Sequence, residues 1–313
     1  MLKVCLTGTG YTKKHFADLS AKGFKITHHT TYLSPQSLSE LLPEYDAYVL
    51  GGDERLTDSL LQNAKKLRMI SFVGTGYTSF IDESAALSLN ISIKNTPSVM
   101  AQAVAEHTIG FIIGMQRKLF EQNWLIKNNC SQPASTQELA SVKIGIVGMG
   151  EIGTRIAKIL RQAFNTQVIY HSRSKKPSLE NELNLQYCSM TQLFSTADII
   201  VFSLPTNPET EYFVNDALLE NVKPGVILIN TAGARLIDPF ALKKYIENNK
   251  ISSVAFDGYY IEPLPQLKDD PYHLLSLTDH RFVVTPHSAA KTQQSWDRMI
   301  DMAVNNVINF FHE

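Results

Sequence analysis

The stretch KIGIVGMGEIG at 143–153 decides the fold. An apolar, strand-like run, 143–147, leads directly into glycines spaced as G-x-G-x-x-G, and a helical pattern follows them. This order predicts the strand, turn and helix that open a dinucleotide-binding unit. In such a turn Gly148 permits the tight bend, Gly150 lets backbone amides approach a pyrophosphate, and Gly153 lets helix and strand pack closely.

Two other glycine-rich turns, TGTGYT at 7–12 and VGTGYT at 73–78, compete for a phosphate-binding role, but only 143–153 has all three glycines. The helix after the complete turn would face the anion with its N-terminus, because the first amides of a helix are unpaired donors. We therefore include Glu151 and Ile152, which open that helix, in the cofactor site. The alternative is a strand-to-helix turn with a purely structural role.

The next strand, QVIYH at 167–171, ends in a segment that indicates which nicotinamide cofactor binds. A carboxylate about 20 residues after the glycines would bind the ribose 2′-hydroxyl of NAD. Here Ser172 and Arg173 open a segment, 172–176, that has no acidic residue. Because serine can hydrogen-bond a 2′-phosphate and arginine can pair with it, NADP(H) is favoured and NAD(H) is the alternative. The alternative is that these residues form a solvated loop with no role in cofactor binding.

Length and composition limit the class of protein. The chain has 313 residues, of which 44% are hydrophobic and 19% charged, so we expect an ordinary globular protein of about two domains. The formal net charge of -1 gives no global attraction to nucleic acid or to an anionic membrane surface. Three unclustered cysteines and the lack of a long apolar run predict a soluble, cytoplasmic protein without disulfides or membrane spans. The sequence shows no cluster with metal-ligand spacing.

Short β-branched runs alternate with helical patterns along the chain, which is typical of an α/β fold. In the first 97 residues, four runs predict one parallel sheet: 2–6, 47–50, 69–72 and 91–93. From Lys143 the runs are apolar on both faces and predict a second, doubly wound sheet. These runs are KIGIV, QVIYH, DIIVFSL, VILIN, SVAF and RFVVT.

Two helical patterns flank this second set of strands. One extends from about Ala101 to Lys127 and is followed by a polar connection at 128–138. The other follows Thr285 and must bury one face. It either caps the second sheet or returns to the first unit.

Seven motifs resemble those of the D-isomer-specific 2-hydroxyacid dehydrogenase family, in order and spacing, over nearly the whole chain. The resemblance implies a dinucleotide-binding (Rossmann) domain at 98–287 and a smaller, flavodoxin-like α/β substrate domain formed by 1–97 and 288–313. It also implies an active site in a cleft between these lobes, and a homodimer. The motifs are VGTGYTSFID (73–82), AVAEHT (103–108), KIGIVGMGEIG (143–153), SLPTNPET (203–210), KPGVILINTAG (223–233), FDGYYIEPLP (256–265) and TPHSAAKT (285–292).

The resemblance also implies roles for single residues. His287 matches the family's acid/base histidine, and Glu262 matches the glutamate that pairs with it. The negative charge of Glu262 would favour the protonated imidazole and fix its tautomer, so His287 would protonate a carbonyl oxygen in reduction and act as the base in oxidation. Gly74 and Thr75 match a loop whose amides hold the substrate carboxylate. Further matches to the cofactor site are Leu204, Pro205, Thr231, Ala232, Gly233 and Asp257.

Two positions depart from the family. Its pattern N-x-x-R-G-x-x-V-D places an arginine, which grips the substrate's carboxylate and carbonyl oxygens, where this chain has Gly233. Arg235, two residues later, is the candidate replacement. A usual first glutamate is replaced by Tyr260. Since each charge-assisted hydrogen bond contributes about 1.5–3 kcal/mol, loss of the arginine should slow ordinary 2-keto acid turnover.

These observations lead to two hypotheses. The first is an NADP(H)-dependent oxidoreductase that transfers hydride between the nicotinamide and a small 2-keto or 2-hydroxy acid, of the glyoxylate or hydroxypyruvate kind. The second is a cofactor-binding redox sensor or regulator with weak or no dehydrogenase activity. His287 and Glu262 favour the enzyme, because a binding protein needs no acid/base pair, whereas Gly233 favours the regulator.

Overall fold

The computed structural model describes residues 1–278 and 280–312 and contains two units, each built on its own parallel sheet. The first unit is Met1–Met100 with Thr292–Glu313, and the second unit is Ala101–Lys291. The expected α/β fold with a doubly wound parallel sheet is confirmed. Among the described residues, no helix is long and apolar enough to cross a membrane, and no group of His, Cys, Asp and Glu side chains could hold a metal ion.

Among its described residues, the first unit has five strands and four short connecting helices. The strands are β1 (Leu2–Thr7), β2 (Phe24–His29), β3 (Ala47–Leu50), β4 (Met69–Phe72) and β5 (Ser92–Lys94). The helices are α1 (Lys13–Ala21), α2 (Pro35–Leu41), α3 (Asp58–Asn63) and α4 (Glu83–Ser88). The sheet order β2-β1-β3-β4-β5 is the flavodoxin-like order. β3 and β4 are buried at every residue, as strands covered on both faces must be.

In the part of the second unit that the structure describes, seven strands lie in the order β12-β11-β10-β9-β6-β7-β8. The strands are β6 (Lys143–Val147), β7 (Gln167–His171), β8 (Gln186–Tyr187), β9 (Ile199–Phe202), β10 (Val226–Asn230), β11 (Ile251–Asp257) and β12 (Phe282–Thr285). The helices are α5 (Ala101–Gln116), α6 (Leu119–Lys127), α7 (Glu151–Phe164), α8 (Pro177–Leu183), α9 (Met190–Thr196), α10 (Asp216–Leu219) and α11 (Pro239–Glu247). The strand order reverses between β6 and β9. Ligands of such sheets bind beyond the carboxyl ends of the strands at this reversal.

The last helix, α12 (Gln293–His312), belongs to the first unit. Its apolar face, including Met299, Ala303 and Val307, is buried in the core under β3 and β4. A helix formed by the end of the chain therefore completes a sheet formed by its beginning.

Some expected elements differ from the observed ones. The single helix expected from Ala101 to Lys127 is two helices, because Lys118 adopts a left-handed conformation (φ 51°) between α5 and α6. Neither β2 nor β8 is predicted from the sequence. Both are edge strands with half-exposed residues, so neither has the continuous apolar run of a central strand. The strand expected at 91–93 lies one residue later, at Ser92–Lys94.

The three cysteines are free. Cys5 and Cys188 are buried hydrophobes, and burial raises the pKa of the Cys5 thiol to about 12 and also raises the pKa of Cys188. Cys130, after α6, is half-buried. Two of the three thiols are therefore core packing groups.

Candidate functional site

The turn after β6 is closely packed at two of its glycines and open at the third. Gly148 has a φ of 97°, and a Cβ there would lie 2.6 Å from the carbonyl oxygen of Ser203. A Cβ at Gly153 would collide with the carbonyl oxygen of Gly148. At Gly150, the N-cap of α7, no atom other than the adjoining backbone lies within 4 Å of the Cβ position. The turn therefore leaves one open position, directly before the amides that begin α7.

A basic segment follows β7. The side chain of Arg173 is exposed, and within the described chain its guanidinium makes no ion pair. The Ser172 hydroxyl donates to the carbonyl oxygen of Ser174 at 2.6 Å, and the Lys175 ammonium lies 5.2 Å from the centre of the Tyr187 ring. Arg173 is thus an exposed cation of this segment that is available to a ligand.

The base of this segment is held by a buried phenol. Tyr170 donates to Glu180 Oε1 at 2.7 Å and accepts from the amide of Lys176 at 2.7 Å. Burial, together with the bond to Glu180, raises the pKa of Tyr170 to about 12. A neutral phenol therefore joins both ends of the loop that carries Ser172 and Arg173.

The residues expected around the adenine and nicotinamide follow β9 and β10. Leu204 is half-buried and Pro205 is exposed. The hydroxyl of Thr231 lies 2.8 Å from that of Thr108 on α5, and the amide of Ala232 donates to Asn230 Oδ1. These strands end at the same edge of the sheet as β6, since all seven are parallel.

Gly233 adopts a conformation that other residues rarely take. Its φ is 150°, and a Cβ would collide with the Thr206 hydroxyl. Asn230 holds it on both sides, with Oδ1 accepting from the Gly233 amide and Nδ2 donating to the Gly233 carbonyl. The guanidinium of Arg235 donates to Glu211 Oε1 at 3.0 Å, and its side chain is 62% exposed. A substrate would therefore compete with Glu211 for Arg235.

His287 and Glu262 form a hydrogen-bonded pair. Nδ1 of His287 lies 3.1 Å from Glu262 Oε2, and the amide of Tyr259 donates to the other carboxylate oxygen at 3.2 Å. The side chain of His287 is 67% exposed. Because an ionised carboxylate only accepts, Nδ1 carries a proton, which leaves Nε2 as the nitrogen that gains or loses one.

Gly258 provides the space for this pair. Its φ is 89°, and a Cβ would lie 2.9 Å from Glu262 Oε1 and 3.4 Å from the imidazole of His287. Its amide donates to the carbonyl oxygen of Thr285, which joins the ends of β11 and β12. A larger residue at 258 would push the histidine and the glutamate apart.

Asp257 anchors the segment that carries His287. This residue is 5% exposed, and its carboxylate accepts from the hydroxyl of Thr285 at 2.6 Å and from the amides of Ser288 and Ala289, each at 2.8 Å. His107 Nε2 lies 3.2 Å from the Thr285 hydroxyl. Sequence reasoning placed Asp257 at the nicotinamide and gave His107 no role. The only signal for His107 was its place within the AVAEHT motif.

Two tyrosines lock the loop after β11. The hydroxyl of Tyr259 donates to the buried carboxylate of Asp270, and that of Tyr260 donates to the carbonyl oxygen of Ile237 at 2.9 Å. Burial raises the pKa of both phenols. The residue that replaces the family's first glutamate is therefore a buried structural group.

Two glycine-rich turns lie in the first unit. A Cβ at Gly8 would collide with the carbonyl of Gly51, and one at Gly10 with the indole of Trp296. The backbone of Gly51 and the side chain of Trp296 therefore fill the turn at 7–12. In the other turn, the amide of Gly74 donates to the Thr96 hydroxyl at 2.9 Å, whereas within the described chain the Thr75 amide has no acceptor. Thr75 is therefore the freer donor.

Comparisons with known proteins identify similar chains. A family model described as "D-isomer specific 2-hydroxyacid dehydrogenase, NAD binding domain" matches residues 109–289. The chain is 31% identical over 304 residues to a glyoxylate reductase of Aeropyrum pernix, covering 94% of this chain and 88% of the relative. It is 29% identical over 266 residues to a glyoxylate/hydroxypyruvate reductase B of Citrobacter koseri, covering 83% and 80%.

A solved structure is similar over the whole chain. The crystal structure of a glyoxylate reductase from Paecilomyes thermophila superposes with a TM-score of 0.87 at 25% identity, covering 100% of this chain and 96% of that one. The chain therefore has the same fold as a solved glyoxylate reductase.

Proposed function

Because this chain belongs to the D-isomer-specific 2-hydroxyacid dehydrogenase family, we propose that it reduces a small 2-oxo acid, of the glyoxylate or hydroxypyruvate kind, with NADPH. The chain is an NAD(P)-dependent 2-hydroxyacid dehydrogenase. One observation carries the proposal: His287 is held by Glu262 through Nδ1 at 3.1 Å and keeps its exposed Nε2 for a substrate. The names of the relatives above support the choice of 2-oxo acid.

The residues of the second unit fit a dinucleotide. The open position at Gly150, which a Cβ would fill, precedes the unpaired amides that begin α7, and such amides bind a pyrophosphate. Glu151, Ile152 and the two packed glycines complete this turn. We assign the adenine side to Leu204 and Pro205, and the nicotinamide side to Thr231, Ala232 and Gly233. Asp257 matches the nicotinamide site too, but its carboxylate is engaged by Thr285, Ser288 and Ala289, so we propose that it shapes this site without binding the cofactor.

The proton is handled by His287. When bound, the reduced nicotinamide supplies the hydride, and the carbonyl oxygen must then receive a proton. In the protonated imidazole Nε2–H donates to that oxygen, while Glu262 keeps Nδ1–H in place and stabilises the positive charge. In oxidation the neutral Nε2 accepts the hydroxyl proton. The amide of Tyr259 donates to the carboxylate of Glu262 and keeps it oriented during both reduction and oxidation.

The cofactor preference rests on Arg173. Its exposed guanidinium can pair with a 2′-phosphate in the bidentate way that a lysine cannot. Ser172 contributes less, because its hydroxyl hydrogen already lies on the carbonyl oxygen of Ser174. We therefore propose NADP(H) as the preferred cofactor and NAD(H) as a weaker one.

Gly233, which stands where the family has an arginine, should limit how well simple 2-oxo acids are bound. We propose that the Thr75 amide, rather than the Gly74 amide committed to Thr96, binds the substrate carboxylate. Arg235 substitutes poorly for a guanidinium at 233, since it is paired with Glu211. Each missing charge-assisted hydrogen bond costs about 1.5–3 kcal/mol, so turnover of simple 2-oxo acids should be slow relative to a family member that has the arginine.

The assembly and compartment are also proposals. Large apolar side chains on α6, namely Leu119, Trp124 and Ile126, are between 44% and 61% exposed. This favours a homodimer in which a second copy covers them. The near-neutral charge and the free cysteines favour a cytoplasmic protein.

The test is to mix the purified protein with NADPH, and in parallel with NADH, and with glyoxylate, hydroxypyruvate or pyruvate, while following the absorbance of the reduced cofactor. We expect slow consumption of NADPH that depends on the oxo acid. Gly233→Arg and Gly233→Ala form a matched pair, because both carry the same backbone strain and differ only in the guanidinium. We expect kcat/KM for oxo acids to be higher in the arginine variant. No consumption with any of the three acids would contradict the proposal.

A further inference from the structure

We infer that His107 is a positioning residue for the proposed reaction, and that it acts on His287 through Thr285 and Asp257. The inference rests on the proposed acid/base role of His287. His107 does not contact His287. It lies on α5, 180 positions earlier in the sequence than His287, and it reaches the carboxyl ends of β11 and β12 only in the folded second unit.

The backbone at His287 needs to be held. Its φ of 51° is left-handed, a region that a residue other than glycine adopts at a cost unless its surroundings impose it. The preceding residue, Pro286, has no amide hydrogen to donate. The local bond at this turn runs from the His287 amide to the carbonyl oxygen of Thr285 at 2.8 Å. The orientation of the imidazole therefore depends on what fixes the residues on either side.

Asp257 makes hydrogen bonds to the chain on both sides of His287. Its Oδ1 accepts from the hydroxyl of Thr285 and from the amide of Ser288, and its Oδ2 accepts from the amide of Ala289. Asp257 and Thr285 are partners in the register of β11 and β12, so the carboxylate lies beside the turn. One buried carboxylate thus clamps the chain two residues before His287 and at the two residues after it.

The acceptor bound by the Thr285 hydroxyl hydrogen determines the direction of the hydrogen bond between His107 and Thr285. Thr285 Oγ1 lies 2.6 Å from Asp257 Oδ1 and 3.4 Å from the carbonyl oxygen of Phe256. An ionised carboxylate cannot donate, so Thr285 donates to Asp257 and can only accept from His107. His107 therefore carries its hydrogen on Nε2 and donates it to Thr285 at 3.2 Å. Its distance from Asp257 Oδ1 is 4.0 Å, so it acts through the hydroxyl.

His107 is itself held firmly. Its ring packs edge-on against Phe111, one turn along α5, with centroids 4.6 Å apart. The next residue, Thr108, lies 2.8 Å from the Thr231 hydroxyl at the end of β10. Two adjacent residues of a 16-residue helix are therefore joined to the ends of β10 and β12. This gives the Nε2–H of His107 a fixed direction.

Without that donor, the Thr285 hydroxyl can turn toward the carbonyl oxygen of Phe256. Asp257 would then lose its shortest hydrogen bond, and its clamp on Ser288 and Ala289 would loosen. His287 would leave its left-handed conformation for part of the time. Its Nε2 would then miss the carbonyl oxygen, and misplacement of a catalytic group by about 1 Å can cost about 100-fold in rate.

The experiment compares His107→Phe, which keeps the ring packing but has no donor, with His107→Gln, whose amide donates from the position of Nε2. Glu106→Gln, on the exposed neighbouring residue, is the matched control. We expect His107→Phe to lower kcat by about 10- to 100-fold, with the KM for NADPH unchanged. We also expect a larger isotope effect on kcat with cofactor deuterated at the transferred position. His107→Gln should restore most of the rate, and Glu106→Gln should behave as wild type.

Two results would overturn the inference: a wild-type kcat and isotope effect in His107→Phe, or a His107→Gln variant as slow as His107→Phe. If the wild-type protein reduces no 2-oxo acid, the proposed function fails instead. A second measurement then still applies. In the nitrogen-15 NMR spectrum of histidine-labelled protein, His107 should be the Nε2–H tautomer and should respond to Thr285→Val. An Nδ1–H tautomer, or no response, would contradict the inference.

Discussion

The two units contain the same two sequence features and use them differently. Each has a glycine-rich turn after its first strand, and each has a histidine bonded to a carboxylate. In the first unit, Trp296 fills the turn at Gly10. His15 is 6% exposed there and has both ring nitrogens occupied, because Nδ1 accepts from the Thr12 amide and Nε2 faces Asp301.

In the second unit the corresponding features are open. Apart from the adjoining backbone, no described atom lies within 4 Å of a Cβ at Gly150, and His287 Nε2 makes no hydrogen bond among the described residues. A motif therefore becomes a candidate site only where the chain leaves a position or a polar atom without a partner. The same residue types, once satisfied by their own fold, only stabilise it.

The largest effects are expected from substituting the two histidines, which should change different properties: the rate for His287 and the stability for His15. We expect His287→Asn to lower kcat about 10²- to 10⁴-fold, the usual contribution of general acid/base catalysis, with little change in the melting temperature. His15→Asn should instead lose about 1–2 kcal/mol of stability, because the Thr12 cap and the bond to Asp301 are broken, while kcat is retained. Initial rates and thermal unfolding of both variants check this. A slow His15 variant of normal stability would remove the distinction between the units.

The next largest effect concerns Arg173. Loss of a charge-assisted pair with a 2′-phosphate should weaken NADPH binding by about 1.5–3 kcal/mol, or about 10- to 150-fold. NADH binding should hardly change, since it has no phosphate at that position. Fluorescence titration of Arg173→Ala with each cofactor measures the ratio of the two affinities. Lys158→Ala is the control, because that ammonium lies outside the segment and pairs with Glu182 at 3.3 Å. Equal weakening of both cofactors would exclude the 2′-phosphate assignment.

Much of this architecture can be predicted from the sequence. Runs such as VILIN at 226–230 are apolar on both faces, and the structure has buried strands there. The edge strands β2 and β8 could not be predicted, because half-exposed residues carry no continuous apolar signal. The break at Lys118 depends on a single left-handed residue inside an otherwise helical pattern.

The candidate site, like the fold, can be predicted only in part from the sequence. His287 and Glu262 can be found from their motifs, and the structure joins them at 3.1 Å. The clamp by Asp257 cannot be found in this way, since it depends on the register that sets residue 257 beside residue 285. Likewise, nothing near Gly10 in the sequence shows that Trp296, far along the chain, fills its turn. Contacts between distant segments decide which motifs stay open.

The contrast between the two units is tested most directly by the affinity for NADPH of two matched variants, Gly150→Ala and Gly10→Ala, measured below both melting temperatures. At Gly150 (φ -84°) alanine is unstrained, so we expect normal stability and about 10-fold or more weaker binding, because the methyl group would occupy the place proposed for the pyrophosphate. At Gly10 (φ 94°) we expect lower stability and unchanged binding, because the methyl group would meet the indole of Trp296. Weakened binding in Gly10→Ala with normal binding in Gly150→Ala would contradict the assignment of the cofactor to the turn after β6.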